Sequence, residues 1–502
     1  MATKNSKLGW VVAGLLLGIL MASMDNTIVV TAMGTIVADL GGIDSFIWVV
    51  SAYMVAEMAG MPIFGKLSDM FGRKRFFMFG LLLFMIGSIL CGTAETITQL
   101  SICRAIQGIG GGALIPIAFT IVFDIFPPEK RGKMGGLFGA VFGLSSIFGP
   151  LLGAYITDHI SWHWIFYINL PLGVVALLLI TLFYHESRIH EKQKIDWFGA
   201  ITLVGSVVCL MFALELGGAK YAWDSSIILG LFAGFAVLFI LFILIERVVS
   251  APIISFKMFK ERLFAGSTIV SLFYGAAFTG ATVYIPIFVQ GVYGGTATNS
   301  GLILLPMMLG SVVSAQVGGF LTTKLSYRNI MFISGIITII GIYLLTTINP
   351  DTARFVLTIY MIITGFGVGF SFSVLGMATI HNFGMDQRGS ASSTSNFVRS
   401  LGMTIGITVF GMIQKNAFSD QLKKVFAGMG QMPQNGSYNP NAILKESARS
   451  HIPVQVLSKI TDALSTSIVH TFLWGLVPAG LAFLFIFVMS NEKMAFQKAD
   501  GK

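Results

Sequence analysis

The sequence predicts an all-α integral membrane protein with fourteen transmembrane helices, arranged as two six-helix bundles with two further helices inserted between them. Three observations carry this. First, 55% of the 502 residues are hydrophobic and only 11% are charged, with a mean hydropathy of +0.82. A soluble domain averages about 25% charged residues, so most of this surface must face lipid. Second, apolar runs long enough to cross roughly 30 Å of hydrocarbon as helices recur along the whole chain. Third, a pattern returns half a chain later. Phe126-Pro127-Pro128-Glu129-Lys130-Arg131-Gly132 and Phe383-Gly384-Met385-Asp386-Gln387-Arg388-Gly389 both place an acid two residues before an Arg-Gly pair, 257 residues apart.

The candidate spans lie at about 9–33, 46–66, 76–94, 100–123, 135–157, 163–184, 197–216, 226–246, 264–290, 299–322, 328–348, 354–380, 396–414 and 468–490. The first run is too long for a signal-peptide core and lacks a clear small-residue cleavage site, so it reads as the first span. The repeat maps spans 1–6 onto spans 9–14 and leaves 7 and 8 as an insertion. Residues 1–195 then form one bundle, 196–250 the inserted pair, and 251–502 the second bundle. Two similar six-helix bundles around a midplane site are a recurring transporter plan.

Charge sets the orientation. Most of the 32 Lys and Arg fall in alternate loops, at helix ends next to them and in the termini, including Lys4, Lys66, Arg73, Lys130, Lys192, Lys257, Arg262, Lys324 and Lys493. The opposite short loops hold only Lys220 and Arg354. Cytoplasmic loops of membrane proteins are the basic ones, so both termini are expected in the cytoplasm, with Arg104 as the one cation inside a span. The mostly polar segment at about 415–467 then becomes a long extracellular loop, with a flexible Gly428–Asn441 stretch and an amphipathic, helix-compatible flank at Ile452–Leu464.

Composition also excludes function classes. The net charge of +9 is explained by topology, so no nucleic-acid partner is expected. Cys91, Cys103 and Cys209 sit in apolar runs without metal-ligand spacing, so neither a metal site nor a disulfide framework follows. No phosphate-cradling Gly-Lys-Ser/Thr loop, nucleophile–base constellation or soluble segment large enough for an ATPase domain is present. The sequence therefore implies no enzyme and no cofactor, and any transport would draw on an ion gradient. One charge crossing 100 mV yields about 2.3 kcal/mol.

The most informative stretch is Gly65-Lys66-Leu67-Ser68-Asp69-Met70-Phe71-Gly72-Arg73-Lys74-Arg75, a basic connection between spans 2 and 3. Gly65 and Gly72 suit tight backbone at a turn, and Asp69 can accept hydrogen bonds from a neighbouring helix N-terminus. Its spacing resembles the signature loop between helices 2 and 3 of the major facilitator superfamily. The resemblance implies a charge network that locks one side of the protein, using Asp69, Arg73 and Arg131. The second copy of this loop, Gly319 to Arg328, is degenerate, so the lock is expected to be asymmetric.

Other stretches resemble the same superfamily. Arg104-Ala105-Ile106-Gln107-Gly108 is similar to its helix 4 motif. Gly149-Pro150-Leu151-Leu152-Gly153 resembles the helix-packing motif of its antiporters, with Ser145 and Ala154 replacing glycines. Trp162-His163-Trp164-Ile165-Phe166-Tyr167-Ile168-Asn169-Leu170-Pro171-Leu172-Gly173 suits an interfacial aromatic belt and resembles the helix 6 entry of fourteen-helix drug:proton antiporters; His163 stands where Arg is usual. Asp25 lies in a helix 1 pattern similar to theirs, with Gly34 in place of a final Pro.

Intramembrane charge is a functional hypothesis by default, because a carboxylate at the bilayer centre costs ~3 kcal/mol on insertion scales. Glu57, near the middle of span 2, must be paired, hydrated or held neutral by hydrogen bonds. Arg104 either snorkels to the outer interface or faces a partner. Asp25 and Arg104 differ by only about 5 Å in depth at 1.5 Å per residue, so contact between them is expected. An adjacent arginine favours a charged carboxyl, and removal of water favours a neutral one.

The whole chain thus resembles a drug:proton antiporter of the multidrug type in Gram-positive bacteria. That implies a monomer in the cell membrane exporting lipophilic compounds, with Asp25 and Glu57 as proton or cation sites and Arg104 as their modulator. Spans 9–11 supply no acid between Glu261 and Asp351, so the cavity's negative charge is expected to rest on Asp25 and Glu57, and monovalent cations or neutral compounds are the expected cargo. Two alternatives stay open: export of a cell metabolite, anionic cargo included, and a non-transporting membrane sensor.

Overall fold

Polar turns between long apolar runs leave neighbouring helices no arrangement but an antiparallel one, and a computed structural model of the chain shows this pattern throughout. It describes residues 7–41, 47–186, 195–218, 220–294, 303–427 and 454–494. The helices are α1 (Leu8–Leu40), α2 (Ile47–Phe71), α3 (Arg73–Gly92), α4 (Ile97–Ile125) and α5 (Pro128–His159). They continue with α6 (Trp164–Phe183), α7 (Trp197–Leu216), α8 (Ser226–Val248) and α9 (Arg262–Gly291). The last five are α10 (Leu305–Leu321), α11 (Tyr327–Leu345), α12 (Arg354–Ile380), α13 (Arg388–Ala427) and α14 (Val454–Ile486). Among the described residues, thirteen are long and apolar enough to cross a membrane; the shorter α10 is the fourteenth. The part of the tenth expected span at 299–302 lies outside the described residues.

Helix starts follow local chemistry. Thr96, Asp196, Ser225, Glu261 and Ser326 each accept a hydrogen bond from the backbone N–H three residues on, so five helices begin on side-chain caps. α3 is capped from a distance: Glu186 accepts from the N–H groups of Arg73 (3.0 Å) and Lys74 (3.1 Å), placing a carboxylate on the positive helix end.

Packing repeats as the sequence repeats. α1 lies against α5 and α6, and α2 and α3 against α4. In the second half α9 lies against α13 and α14, and α10 and α11 against α12. These are the same pairs shifted by eight helices. The halves meet through α2 on α13 and α5 on α10, again a symmetric pair of contacts. α7 and α8 pack on each other, and α7 on α2. The repeated motif has repeated geometry too. The Nε of Arg131 donates to the Phe126 carbonyl at 2.9 Å, and the Nε of Arg388 donates to the Phe383 carbonyl at 3.1 Å.

Three sequence expectations are corrected. The connection at 65–75 is not an extended turn, because α2 runs on to Phe71 and α3 starts at Arg73. Only Gly72, at φ +111°, leaves helical geometry, in a region that favours glycine. The segment at 415–467 opens as helix instead of loop, while its other flank is helical from Val454, as the Ile452–Leu464 pattern leads one to expect. α13 has 40 residues and spans about 60 Å at 1.5 Å per residue, twice a hydrocarbon core, so its end projects into water. Residues 428–453, including the Gly428–Asn441 stretch, lie outside the described residues, as do Lys4 and Lys192.

Finally, α13 starts at Arg388 rather than 396. Its first two turns are rich in Ser and Thr, which hydropathy scores as loop. In the structure they are buried, and several return hydrogen bonds to their own helix, such as Thr394 Oγ1 to the Ser390 carbonyl at 2.7 Å.

Candidate functional site

The predicted intramembrane charges fall into two places rather than one. Asp25 and Arg104 form an ion pair between α1 and α4, and both side chains are 0% exposed. Asp25 Oδ1 also accepts from Gln107 Nε2 and Asn169 Nδ2, each at 2.8 Å, and both amides donate to Ser88 Oγ at 2.8 and 2.9 Å. Arg104 donates to the Gln107 amide oxygen (2.7 Å) and, through Nε, to the Val49 carbonyl (3.2 Å). Its guanidinium lies 4.2 Å from the centre of the Tyr53 ring. A buried ion pair needs this many partners, since desolvating two charges costs several kcal/mol per ion. Arg104 therefore does not snorkel.

Gln107, Asn169 and Ser88 complete this cluster without having been singled out. Gln107 stands in the stretch similar to the helix 4 motif, and Asn169 in the stretch that suits an aromatic belt. A buried amide beside an intramembrane charge was the available signal. Within 162–173, Trp164 is 53% exposed, whereas Trp162 is 3% exposed and donates to Asp39 at 2.7 Å, so it serves the interior and not a belt.

Glu57 belongs elsewhere. It lines a cavity of about 280 Å³ between the two halves, with Met54, Met58 and Met61 on its own helix and Phe278, Phe372 and Met403 opposite. Among the described residues no hydrogen bond or ion pair reaches its carboxylate. Asp25 does not line this cavity; its neighbours Ser23 and Asn26 do. The expectation that Asp25, Glu57 and Arg104 share the cavity is thus corrected, because the donors from α4 and α6 hold Asp25 behind the wall. Asn26 is the link, since its side-chain oxygen accepts from Arg104 Nη2 at 3.4 Å while the residue faces the cavity.

The cavity wall also carries Arg399 of α13, which sequence reasoning missed. Starting the span at 396 put this arginine among the charges at a helix end. With α13 beginning at Arg388 it stands three turns further in.

At the end of the molecule bearing the 65–75 stretch, charged groups join the halves. Asp69 Oδ1 accepts from the Gly389 N–H at 2.9 Å, and Oδ2 accepts from the Ser390 N–H at 2.8 Å and its hydroxyl at 3.2 Å. Asp69 thereby caps α13 from the opposite half. Arg73 pairs with Asp69 (3.2 Å) and Asp124, and donates to the Met385 carbonyl at 2.6 Å. Asp124 also pairs with Arg388 at 3.1 Å. Gly65 is not at a turn but within α2, where a Cβ would come 2.0 Å from Ser393 Oγ, so only glycine lets α13 approach this closely. Arg131 caps Phe126 and lies 5.1 Å from the Phe123 ring centre. Among the described residues, the cation paired with Asp69 is Arg73.

Among the described residues the pattern does not recur in the second half. The position 257 residues after Asp124 is His381, just beyond α12. Its Nδ1 is 3.1 Å from the Tyr327 hydroxyl, and its Nε2 is 3.9 Å from Glu492. Burial pushes the His381 imidazole below its ordinary value, partly offset by Glu492 and Glu261.

The packing motif stands beside the Asp25 cluster. A Cβ on Gly149 would lie 1.9 Å from Thr27 Oγ1, and one on Gly153 2.9 Å from the Ile28 carbonyl. Thr27 Oγ1 in turn donates to the Ser145 carbonyl at 3.1 Å. Pro150 lies within α5 between the two glycines. Small residues thus press α5 onto α1 where α1 carries Asp25 and Asn26.

Two helical halves around a central cavity, joined at one end by polar contacts that separate only if the halves move, are the layout of a membrane carrier. The Major Facilitator Superfamily model matches residues 15–407, and the chain belongs to that superfamily. It is therefore a multi-pass membrane transporter. It is 58% identical over 495 residues to Multidrug resistance protein 3 of Bacillus subtilis, covering 98% of this chain and 97% of the relative. It is 35% identical over 520 residues to Multidrug transporter protein MdtP of the same organism, covering 99% and 96%. Among solved structures, the proton:xylose symporter XylE has the same fold, with a TM-score of 0.62 at 13% identity and coverage of 97% and 98%.

Proposed function

We propose that this transporter exports lipophilic, monovalent cationic or neutral drugs across the cytoplasmic membrane in exchange for protons. The relatives' names support drug efflux. The observation that carries proton coupling is the chain from Asp25 through Arg104 and Asn26 to the cavity wall that holds Glu57. When a proton neutralises Asp25, Arg104 loses its counter-charge and turns its fork toward Asn26 and the cavity. Charge in one wall then depends on the proton held behind it, which is how binding of proton and cargo become exclusive. A proton falling through 100 mV supplies about 2.3 kcal/mol for the exchange.

In this reading the contacts of Asp69, Arg73, Asp124 and Arg388 form the cytoplasmic gate, shut in the present structure. Arg131 supports it by capping Phe126 rather than by pairing with Asp69. Both termini are cytoplasmic, 415–467 is extracellular, and a monomer suffices. The division into 1–195, 196–250 and 251–502 follows the repeated packing. A cysteine at Ser437 labelled only from the cytoplasm would overturn this topology.

Proteoliposomes with an imposed pH gradient test the reading directly. A monovalent cationic dye should move against its gradient with wild-type protein, and Asp25→Asn and Glu57→Gln should each slow it at least tenfold. Glu57 is the single carboxylate facing the cavity among the described residues, so a rigid dication should move poorly. A second reading, export of an anion-bearing metabolite, is favoured by one observation, the position of Arg399.

A further inference from the structure

Arg399 is a cation in the cavity wall with little to hold it. Its Nη2 donates to the Ser371 carbonyl at 3.0 Å, and its guanidinium lies 5.2 Å from the centre of the Phe372 ring. Among the described residues no carboxylate stands within ion-pair distance of it. One carbonyl and one ring face leave most of a five-donor fork unused. Contrast Arg104, whose charge is matched by Asp25 and whose nitrogens reach four acceptors. Arg73 is likewise matched, by Asp69 and Asp124.

The surroundings make this exposure costly. Phe278, Phe372, Met308 and Met403 line the same space, so the guanidinium borders an apolar chamber rather than bulk water. Glu57 lies on the other half of the wall, and no ion pair joins the two. An arginine inside the membrane normally faces a partner, and a planar fork suits a carboxylate better than any other group.

We infer that Arg399 is an anion-binding residue of the transport cavity, and that the cargo includes lipophilic compounds bearing a single carboxylate. The apolar body of such a compound would lie among the Phe and Met side chains. Its carboxylate would take the free donors of Arg399, and any ammonium it carries would face Glu57. This inference rests on the export reading and widens its substrate class from cations and neutral compounds to carboxylates and zwitterions.

The test uses a matched pair of small fluorescent probes, 7-diethylaminocoumarin-3-carboxylic acid and its ethyl ester, which differ chiefly by one negative charge. Binding of each to full-length protein in nanodiscs is measured by fluorescence for the wild type, Arg399→Lys and Arg399→Gln. The expected result is an acid-to-ester affinity ratio at least tenfold lower in Arg399→Gln than in the wild type, and largely retained in Arg399→Lys. A role confined to stapling α13 to the Ser371 carbonyl would weaken both probes together and leave the ratio unchanged. That outcome, or a wild type that binds no acid, overturns the inference. Transport is scored separately. If wild-type proteoliposomes move neither probe nor a cationic dye, the export reading falls, while the binding ratio still decides the role of Arg399.

Discussion

The Asp69 carboxylate of α2 accepts the N–H of Gly389, 320 residues away, at the first turn of α13. One side chain thus caps a helix of the other half, and the cap breaks when the halves part. Charge-assisted hydrogen bonds of this kind contribute about 1.5–3 kcal/mol each. Asp69→Asn keeps the shape but removes the charge. We expect turnover in proteoliposomes to change at least tenfold while dye affinity shifts less than threefold, because the substitution acts on the balance of states and not on cargo contacts. Unaltered turnover at normal expression would remove Asp69 from the gate.

The two intramembrane carboxylates should separate by stability. Asp25→Asn leaves the Arg104 charge buried and unmatched, a loss of about 3–5 kcal/mol for a broken buried pair. Glu57→Gln breaks no pair and should leave thermal stability near the wild-type value. Melting of the purified variants in detergent, followed by intrinsic fluorescence, checks this. The double variant Asp25→Asn/Arg104→Gln should recover much of the loss, since it removes both charges.

Gly149→Ala should destabilise by about 1–3 kcal/mol through overpacking, because the new methyl group meets Thr27 Oγ1 at 1.9 Å and the hydroxyl is held by two carbonyls. Pairing it with Thr27→Ala should return part of the loss. Melting temperature is the readout, and no loss in the single variant would show that α1 and α5 separate freely here.

His381 supplies a pH dependence. Burial depresses its folded value, so the unfolded chain binds the proton more readily. Stability therefore rises with pH between the depressed value and the ordinary imidazole value of about 6.5, and is lost as pH falls through that window. His381→Asn should flatten this slope in melting curves taken from pH 5 to pH 7.5. A slope equal to that of the wild type would place its origin in other groups.

What the sequence determined by itself is periodic or covalent: span count, the alternation of basic loops, the 257-residue repeat and the motifs that carry the family. These follow from the cost of leaving backbone groups unpaired in hydrocarbon, which each stretch of chain meets alone. Tertiary structure decided what each charge faces. Hydropathy set Arg399 at a helix end because the serines before it score as loop, and only their burial against α2 and α4 makes them helix. Depth along α1 and α4 placed Asp25 and Arg104 at one level, yet it could not say that amides of Gln107 and Asn169 would pull the pair out of the cavity. Direction around a helix axis turns by 100° per residue, so a small change in register or tilt moves a side chain from cavity to wall, and that rotation is set by neighbouring helices distant in the chain.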